Sequence, residues 1–316
     1  MNCKITVIGS YMTDLTVYAD RFPNDGEAVH GNRFHIAPGG KGSNQAVAAH
    51  RAGADVIFIA KLGNDKFGFD ALEFYRKEGI DTRFITQTDK ASTGMTSITV
   101  NTTTGENRMV LFPGANLFLT AEDVYRAEKE IASSDILLFQ NETSEESILA
   151  GMMIAREYGV KTVFNPAPAR AIPQDFLTRA DFITPNQSEA EFYSGIKADT
   201  VDGAKLTCKK LMFKGCENIV VTMGAQGSFY YGDCGYVYTQ AVKTEAVDTT
   251  GAGDSFNGAF CVALAEKMDI EEALKFANSA ASLCVERHGT ADAMPYRGEI
   301  EAHKMVHYPT DPRRKR

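Results

Sequence analysis

Short apolar runs that alternate with helical segments dominate the second half of this sequence. The runs are rich in Val, Ile and Phe and occupy residues 136–139, 162–165, 182–184 and 219–222. Between them lie stretches with the apolar spacing of helices, clearest at 121–132 and 145–158. Buried strands expected near 4–8 and 56–60 extend the pattern toward the N-terminus. Alternation of this kind predicts a mostly parallel sheet covered by helices on both faces.

The segment 248–256, Asp-Thr-Thr-Gly-Ala-Gly-Asp-Ser-Phe, precedes an Ala- and Leu-rich helix and follows an extended run. Gly251 and Gly253 permit a tight turn whose N–H groups point outward at a helix N-terminus, an arrangement that binds anions. Asp254 would repel a resting phosphate but can accept a hydroxyl proton. An anion-binding turn beside a carboxylate base indicates a reaction in which the hydroxyl of a substrate attacks a phosphoryl group. A Gly-rich turn capped by Asp254 or Ser255 is the alternative.

A second glycine cluster, Pro-Gly-Gly-Lys-Gly-Ser-Asn at 38–44, precedes an Ala-rich helix predicted at 44–51. Adjacent glycines at such a place indicate a hinge or a close approach of the backbone to a ligand. The cluster is not a Walker A loop, because His35 stands where that motif has its first Gly. In addition, Gly42 follows Lys41 where the motif has Ser or Thr.

Polar residues stand at the ends of the predicted strands, where ligands gather in open α/β sheets. Asp14 comes just after the first strand, although a turn-forming role fits it as well. The later strand ends carry Asn141, Glu142, Asn186, Glu189, Thr222 and Gly224. We therefore expect a ligand site along this edge of the sheet.

A small separate sheet is predicted in the first half of the chain. Strand-like runs at 95–101 and 108–112 are joined by a polar segment, which indicates a hairpin. An extended arm at 27–36 would complete the sheet. Such a lid could exclude water from phosphoryl transfer.

The composition indicates an ordinary globular protein. Its 316 residues are 44% hydrophobic and 23% charged, and Lys+Arg 33 against Asp+Glu 41 gives a net charge of -8. This balance argues against general nucleic-acid binding, and the basic end at 313–316 is expected to be solvated. Six scattered cysteines without a Cys-x-x-Cys pair predict neither a zinc ribbon nor a disulfide framework. Without a signal-type or membrane-spanning apolar run, we expect a soluble cytoplasmic protein.

Taken together and in order, these motifs resemble the ribokinase-like, or PfkB, family of carbohydrate kinases. The resemblance rests on the two glycine clusters, on Pro-Asn-x-x-Glu at 185–189, and on the segments Pro-Gly-Ala-Asn at 113–116 and Asn-Pro-Ala-Pro-Ala at 165–169. Each motif alone is weak, whereas their joint order and spacing are specific.

The resemblance implies a fold, an assembly and an activity. The fold is a doubly wound, mostly parallel α/β domain over residues 1–316, with a β-sheet lid formed by about 11–38 and 93–114. In the family this lid often forms a homodimer interface. The implied activity is transfer of a phosphoryl group from ATP, accompanied by Mg²⁺, to the 5-hydroxyl of D-ribose, which gives D-ribose 5-phosphate.

The implied site residues carry over position by position. Asp254 would accept the hydroxyl proton, and the anion hole would consist of the amides of Gly251, Ala252, Gly253 and Asp254. The sugar contacts would be Met12, Asp14, Gly40, Lys41, Gly42, Ser43, Asn44, Glu142 and Asp254. The nucleotide contacts would be Asn186, Thr222, Met223, Gly224, Ala225, Gln226, Gly227, Gly253 and Asn278.

Two cations are implied by the same resemblance. Glu189 corresponds to a residue that organises Mg²⁺ through water, which suits an ion that sheds its waters reluctantly. A monovalent cation, K⁺, would lie beside the anion hole. Its ligands would be Asp248 and the backbone carbonyls of Thr250, Cys284, Arg287 and Gly289, and Ala293 occupies the last position of the set. Ala293 stands where the family often has Ser, so one ligand of the usual set is lost.

One departure bears on the substrate. Met12 stands where many ribose-phosphorylating members of the family carry Asn, and a thioether is only a weak acceptor. We therefore expect weak discrimination against a sugar that lacks the 2-hydroxyl. The resemblance leaves D-ribose, 2-deoxyribose and other pentoses or nucleosides open as acceptors.

Three interpretations from other classes are less well supported. The block Gly-Asp-Ser-Phe at 253–256 resembles that of GDSL esterases, which lies near the N-terminus and is answered by an Asp-x-x-His that this chain lacks. His303 and His307 have the spacing of a metal pair on a helix, but without a third ligand we expect two exposed histidines. A non-catalytic sugar-binding protein would lack the base or the anion hole, and both are intact.

Overall fold

A central sheet organises the computed structural model, which describes residues 2–233 and 235–309. Within these residues the sheet has nine strands: β1 Lys4–Ile8, β4 Asp55–Gly63, β5 Ile85–Thr88, β8 Ile136–Gln140, β9 Lys161–Asn165, β10 Phe182–Ile183, β11 Asn218–Thr222, β12 Ser228–Gly232 and β13 Gly235–Thr239. Their spatial order is β13-β12-β11-β10-β9-β8-β1-β4-β5. The basic end at 313–316 lies outside the described residues.

The predicted parallel sheet is confirmed. Along the sheet, neighbouring strands are parallel throughout the run β5-β4-β1-β8-β9-β10-β11. The edge formed by β12 and β13 is antiparallel, which the sequence pattern did not predict. The extended run that precedes the glycine motif was expected over residues 236–247. It is a strand only as far as Thr239, where its pairing with β12 ends.

A second sheet contains four strands of the described chain: β2 Met12–Ala19, β3 Arg33–Gly39, β6 Met95–Asn101 and β7 Asn107–Phe112. Its order is β3-β2-β6-β7, so the predicted hairpin of β6 and β7 is confirmed. The inner strand β2 had not been recognised, because its residues show no regular alternation of buried and exposed positions. The arm expected at 27–36 forms a strand only from Arg33 onward.

Helices cover both faces of the central sheet. They are α1 Lys41–Arg51, α2 Lys66–Glu78, α3 Ala121–Tyr125, α4 Glu128–Ala132, α5 Glu145–Tyr158, α6 Gln174–Thr178, α7 Gln187–Ser194, α8 Val201–Phe213, α9 Ala252–Ala265, α10 Ile270–Val285 and α11 Arg297–His307. Along β4, Phe58 packs into the core beneath α1, α2, α9 and α10, while Ile57 and Ile59 pack into the opposite core. In the part of the chain that is described, we find no helix whose length and apolarity would suit a membrane span.

The two glycine clusters each start a helix earlier than the sequence pattern predicts. Gly40 has φ 87° and Gly251 has φ 81°, and a helix begins at the next residue in both cases. Glycine adopts this left-handed backbone conformation without the penalty that a Cβ would bring. As a result, Asn44 lies one turn into α1, and Asp254 lies in the first turn of α9.

The helices α1 and α9 approach each other closely at Gly258. A Cβ added there would lie 2.6 Å from Ala48 Cβ and 2.7 Å from the backbone nitrogen of Ala49. Such distances are well inside van der Waals contact. This packing places the first turn of α9 against the first turns of α1.

We expect the variant Gly258→Ala to be destabilised by about 1–3 kcal/mol, because the added methyl group overpacks the contact between α1 and α9. Gly298→Ala in α11 is the matched control, since its added Cβ meets nothing within 4 Å. The free energy of unfolding of that control should not fall, because Ala restricts the unfolded chain more than Gly does and its methyl group meets no neighbour here. Urea unfolding measures both, and equal stabilities for the two variants would contradict the packing.

Candidate active site

Asp254 is buried at the start of α9, with 6% of its surface exposed. Its carboxylate is held from α1 by two side-chain amides. Asn44 Nδ2 donates to Asp254 Oδ2 at 2.9 Å, and Gln45 Nε2 donates to Asp254 Oδ1 at 2.9 Å. Asn44 and Asp254, both named above as sugar contacts, therefore lie in direct contact, and the orientation of the carboxylate is set before any ligand binds.

Gln45 belongs to a buried chain of amides that sequence reasoning missed. Gln140 Nε2 donates to Gln45 Oε1 at 2.7 Å, and Gln45 Nε2 also donates to Asn165 Oδ1 at 3.0 Å. Asn165 Nδ2 in turn donates to the carbonyl of Thr184 at 2.8 Å. Gln140 and Asn165 end the adjacent strands β8 and β9, and a polar residue at a buried strand end was the signal that could have found them.

The first turn of α9 presents backbone amides beside Asp254. The opening N–H groups of a helix have no intrahelical partner, and the helix dipole adds partial positive charge there. A Cβ added at Gly253 would meet nothing within 4 Å, so the space beside this amide is open. The Ala252 N–H makes a 3.4 Å hydrogen bond to the carbonyl of Thr249, so Gly253 is the amide of this turn that faces open space. The anion hole at Gly251, Ala252, Gly253 and Asp254 stays a prediction.

Asp14 projects from β2 against the paired glycines. A Cβ added at Gly39 would lie 2.2 Å from Asp14 Oδ2, and one added at Gly40 would lie 2.7 Å from the backbone nitrogen of Met12. These glycines approach β2 itself, so the close approach to a ligand that the sequence suggested is not what the structure shows at this place. Met12 is buried, and its Sδ lies 3.7 Å from Asn116 Nδ2, so the thioether is turned toward Asn116.

Glu142 ties the end of β8 to the start of α1. Its Oε2 accepts a 2.5 Å hydrogen bond from Ser10 Oγ and a 3.0 Å hydrogen bond from the backbone N–H of Lys41. Ser10 had not been predicted.

Ser43 and Gly42 are placed differently from expectation. Ser43 Oγ is buried and accepts a 2.7 Å hydrogen bond from Tyr75, so this side chain packs in the interior instead of serving a ligand. A Cβ at Gly42 would lie 2.4 Å from the Ser10 nitrogen, so Gly42 serves close packing.

The acidic groups of the site perturb one another. Burial raises the pKa of Asp14 to about 6, with further raising from Glu142 and Asp254 and partial compensation by hydroxyls of Thr96 and Thr290. Lys41 lies among the acids. Burial lowers the pKa of its ammonium, but Asp254, Glu142 and Glu189 outweigh burial and raise the pKa above its ordinary value.

A cleft of about 760 Å³ opens on the other side of the α9 N-terminus. Predicted nucleotide contacts that line it are Asn186, Thr222, Gly224, Ala225, Gly227, Gly253 and Asn278. Two predicted contacts do not line it. Met223 is buried in the apolar core, and Gln226 Nε2 donates to the carbonyl of Asp199 at 2.8 Å. Met223 precedes the short helical turn Gly224–Gln226 and Gln226 ends it, so the two side chains stand at opposite ends of the turn.

Much of the cleft wall comes from the segment that precedes the glycine motif, and most of this segment carries no motif of its own. Residues Gln240, Ala241, Val242, Lys243, Thr244, Ala246 and Thr249 line it between β13 and α9. Phe256, Ala281, Ser282 and Val285 add apolar surface and one hydroxyl from α9 and α10. For residues 240–249, the sequence indicated a role in the cleft only through their position between an edge strand and the glycine motif.

Asn186 and Glu189 form a capping box at the start of α7. Asn186 Oδ1 accepts from the N–H of Glu189, and Glu189 Oε2 accepts from the N–H of Asn186, both at 2.9 Å. Glu189 is only 5% exposed. Burial raises its pKa, as does Asp254, while the Asn186 N–H and Lys41 lower it. The carboxylate is thus electrostatically part of the site.

Asp248 joins the segments predicted to hold a monovalent cation. Its Oδ1 accepts from the N–H of Thr250 at 3.0 Å, and its Oδ2 accepts from the N–H of Gly289 at 3.3 Å. The carbonyl of Cys284 already accepts from the N–H of Arg287 at 3.1 Å. The Asp248 oxygens retain free lone pairs, and the carbonyl groups in this region are of the class that binds K⁺. Within the described chain, no three His, Cys, Asp or Glu side chains converge as metal ligands.

The alternative assignments find no support in the geometry. Ser255 is fully buried within α9, where no substrate could reach it as a nucleophile. The rings of His303 and His307 lie 4.4 Å apart between centroids on α11. His307 is exposed, as expected, whereas His303 is half-buried.

Comparison with known proteins covers almost the whole chain. A family model described as pfkB family carbohydrate kinase matches residues 2–297. The chain is 41% identical over 303 residues to the ribokinase of Mus musculus, covering 94% of this chain and 93% of that protein. It is 34% identical over 292 residues to the deoxyribokinase of Salmonella typhi, covering 92% of this chain and 95% of that protein. The solved structure of Arabidopsis thaliana ribokinase complexed with ribose and ATP matches with a TM-score of 0.88 at 26% identity, covering 96% of this chain and 99% of that chain.

The raised pKa of Asp14 predicts a pH-dependent stability. Because the folded pKa of about 6 exceeds the ordinary value of 3.8, ionised Asp14 destabilises the fold above pH 6, and the penalty fades as the pH falls. The stability difference between Asp14→Asn and the unmodified chain should therefore shrink by about 1 kcal/mol from pH 8 to pH 5. Urea unfolding at several pH values measures it. A difference that stays constant with pH would contradict the raised pKa.

Proposed function

This chain belongs to the pfkB family of carbohydrate kinases, and we propose that it transfers the γ-phosphoryl group of ATP to the 5-hydroxyl of D-ribose. It is a phosphotransferase that acts on an alcohol group. The observation that carries the proposal is the placement of Asp254. Its carboxylate, held by Asn44 and Gln45, stands between the polar group around Asp14 and Glu142 and the cleft beyond Gly253.

In this reaction Asp254 accepts the proton of the attacking hydroxyl. A positioned base contributes about 10²- to 10⁴-fold in rate. The amides of the first turn of α9 stabilise the charge that develops on the transferred phosphoryl group. Lys41 offsets the negative charge that Asp254, Glu142 and Glu189 bring to the same space. Asp14 and Glu142 orient the sugar by accepting hydrogen bonds from its hydroxyls.

The cleft supports ATP as the donor. Its volume of about 760 Å³ fits a nucleotide, with apolar walls from Val242, Phe256 and Val285 for a base. Asn278, whose Nδ2 donates to the carbonyl of Thr239 at 3.2 Å, keeps its Oδ1 for an exocyclic amine. The match to the Arabidopsis thaliana ribokinase complexed with ribose and ATP supports the same pair of substrates.

Two cations complete the proposal. Glu189, a buried carboxylate near Lys41 and Asp254, would hold Mg²⁺ through water, and the ion would neutralise phosphate charge. Asp248 with neighbouring carbonyl groups would hold K⁺ behind the anion hole. Activity that is unchanged when tetramethylammonium replaces K⁺ would remove the second cation from the proposal.

2-Deoxyribose is the second candidate acceptor. Met12, buried and turned toward Asn116, offers a sugar hydroxyl no strong partner. The likeness to the Salmonella typhi deoxyribokinase points in the same direction.

We further propose that residues 11–38 and 93–114 form a lid on a single domain of residues 1–316 and a homodimer interface. Phe34, Ile36 and Val110 expose apolar surface on this sheet, and pairing of two copies would cover it. Sedimentation that shows only monomer would count against the dimer. A cytoplasmic location agrees with the described cysteines, which are free thiols.

Asp254→Asn should reduce turnover by at least about 10²-fold, because the variant has no carboxylate to accept the proton. Ribose affinity should change little, since the other sugar contacts remain. ADP release measures turnover and calorimetry measures ribose binding. Asp70→Asn on the exposed face of α2 is the matched control and should behave as the unmodified chain. Turnover that survives in Asp254→Asn would refute the assignment of the base.

The ratio of kcat/KM for ribose to that for 2-deoxyribose should lie well below the roughly 10⁴ that a site built to bind the missing hydroxyl reaches. Met12→Asn should widen the ratio, because an amide can pair with a hydroxyl. Met12→Leu, which conserves volume without adding polarity, should leave it unchanged. Rejection of 2-deoxyribose by 10⁴ or more in the unmodified chain would show that another group senses the hydroxyl.

A further inference from the structure

Thr290 occupies a junction in the site that neither the sequence motifs nor the comparisons explain. It follows α10 and is 5% exposed. Its Oγ1 lies 2.9 Å from the carbonyl oxygen of Pro38 on β3 and 3.4 Å from Asp14 Oδ2 on β2. Its backbone lies beside Gly251, because a Cβ added there would be 3.5 Å from Thr290 Cα. One hydroxyl therefore contacts both neighbouring strands of the small sheet.

The Thr290 hydroxyl has two possible acceptors, the Pro38 carbonyl and the Asp14 carboxylate. Threonine has one O–H hydrogen, so it can fully donate to only one acceptor at a time. In the described arrangement the shorter contact is to Pro38, and Asp14 receives the longer one. A displacement of β3 would leave Asp14 as the remaining acceptor. The hydroxyl thus links the position of β3 to the hydrogen bonding of the Asp14 carboxylate.

The surroundings of Asp14 leave few other restraints on its carboxylate. Gly39 touches Oδ2 from β3, since an added Cβ would lie 2.2 Å away. The Thr96 hydroxyl faces the carboxylate from β6, and Glu142 and Asp254 are the charged groups near it. Both charged neighbours repel Asp14, so hydroxyl donors are what hold it in one orientation.

We propose that Thr290 is a positioning residue that orients the sugar-binding carboxylate of Asp14 and couples it to the lid strand β3. The inference rests on the proposed function, because Asp14 matters here as a ligand of the sugar. The hydrogen bonds of the Thr290 hydroxyl go to Pro38 and Asp14 and not to the base Asp254. In this proposal the hydroxyl sets how well the sugar is bound and leaves the chemical step alone.

The test compares Thr290→Val, which keeps the shape and removes the hydroxyl, with Thr290→Ser, which keeps the hydroxyl. Thr290→Val should raise KM for the sugar about three- to tenfold with kcat changed less than twofold, the effect of one lost hydrogen bond. Thr290→Ser should restore KM to within about twofold. Thr207→Val is the matched control, since it removes a buried hydroxyl that donates to the carbonyl of Ile196 at 3.0 Å, and no residue of α8 lines the cleft.

A pH profile separates positioning from a general structural effect. The Thr290 hydroxyl lowers the pKa of Asp14, so its removal should raise that pKa. The acid limb of kcat/KM for the sugar should therefore move to higher pH in Thr290→Val, while it stays in place in Thr290→Ser and Thr207→Val. Thermal melting of each variant checks that the fold is retained.

The outcomes are distinct. If the unmodified chain phosphorylates ribose and Thr290→Val has the same KM and acid limb, this inference alone is wrong. An equal loss in Thr290→Val and Thr290→Ser, or a loss confined to kcat, would also overturn it. If the unmodified chain phosphorylates no sugar, the proposed function fails and the inference falls with it.

Discussion

The carboxylate of Asp254 accepts hydrogen bonds from two side-chain amides of α1, and the remainder of the site is arranged around that contact. Asn44 and Gln45 are consecutive residues, yet each donates to a different oxygen of the same carboxylate. Both can do so only because α1 and α9 approach closely at Gly258, where no side chain keeps them apart. A group oriented in this way before a ligand arrives needs no reorganisation during the reaction.

Burying several acids in one place works against stability. Asp14 and Glu189 both have a raised pKa, chiefly because burial disfavours their charged forms. Lys41 is the cation among them, and its own pKa is raised in return. An arrangement tuned for stability would separate these carboxylates or neutralise them. Their concentration at one edge of a sheet is typical of a site that binds and transfers charged groups.

Local features of the chain made much of the fold predictable. The alternation of apolar runs and helices indicated the parallel sheet, and the φ of Gly40 and Gly251 explains why helices follow both glycine clusters. The site was predictable where a motif carries its own geometry, as at Asp254. The role of a side chain was not predictable where it depends on residues that are distant in sequence but close in the fold. Gln45 looked like one more helix residue, while Met223 and Gln226 lay in a matching segment but face the core and Asp199.

Sequence alone determined the secondary-structure alternation, the glycine turn at the start of α9 and the chemical character of Asp254, because each depends on residues within a few positions of one another. Tertiary structure decided which side chains meet. Asn44 and Asp254 are 210 positions apart, and Thr290 and Asp14 are 276 apart. Contacts over such separations follow from strand order and helix packing, and the local patterns of apolar and polar residues do not encode the distances between them.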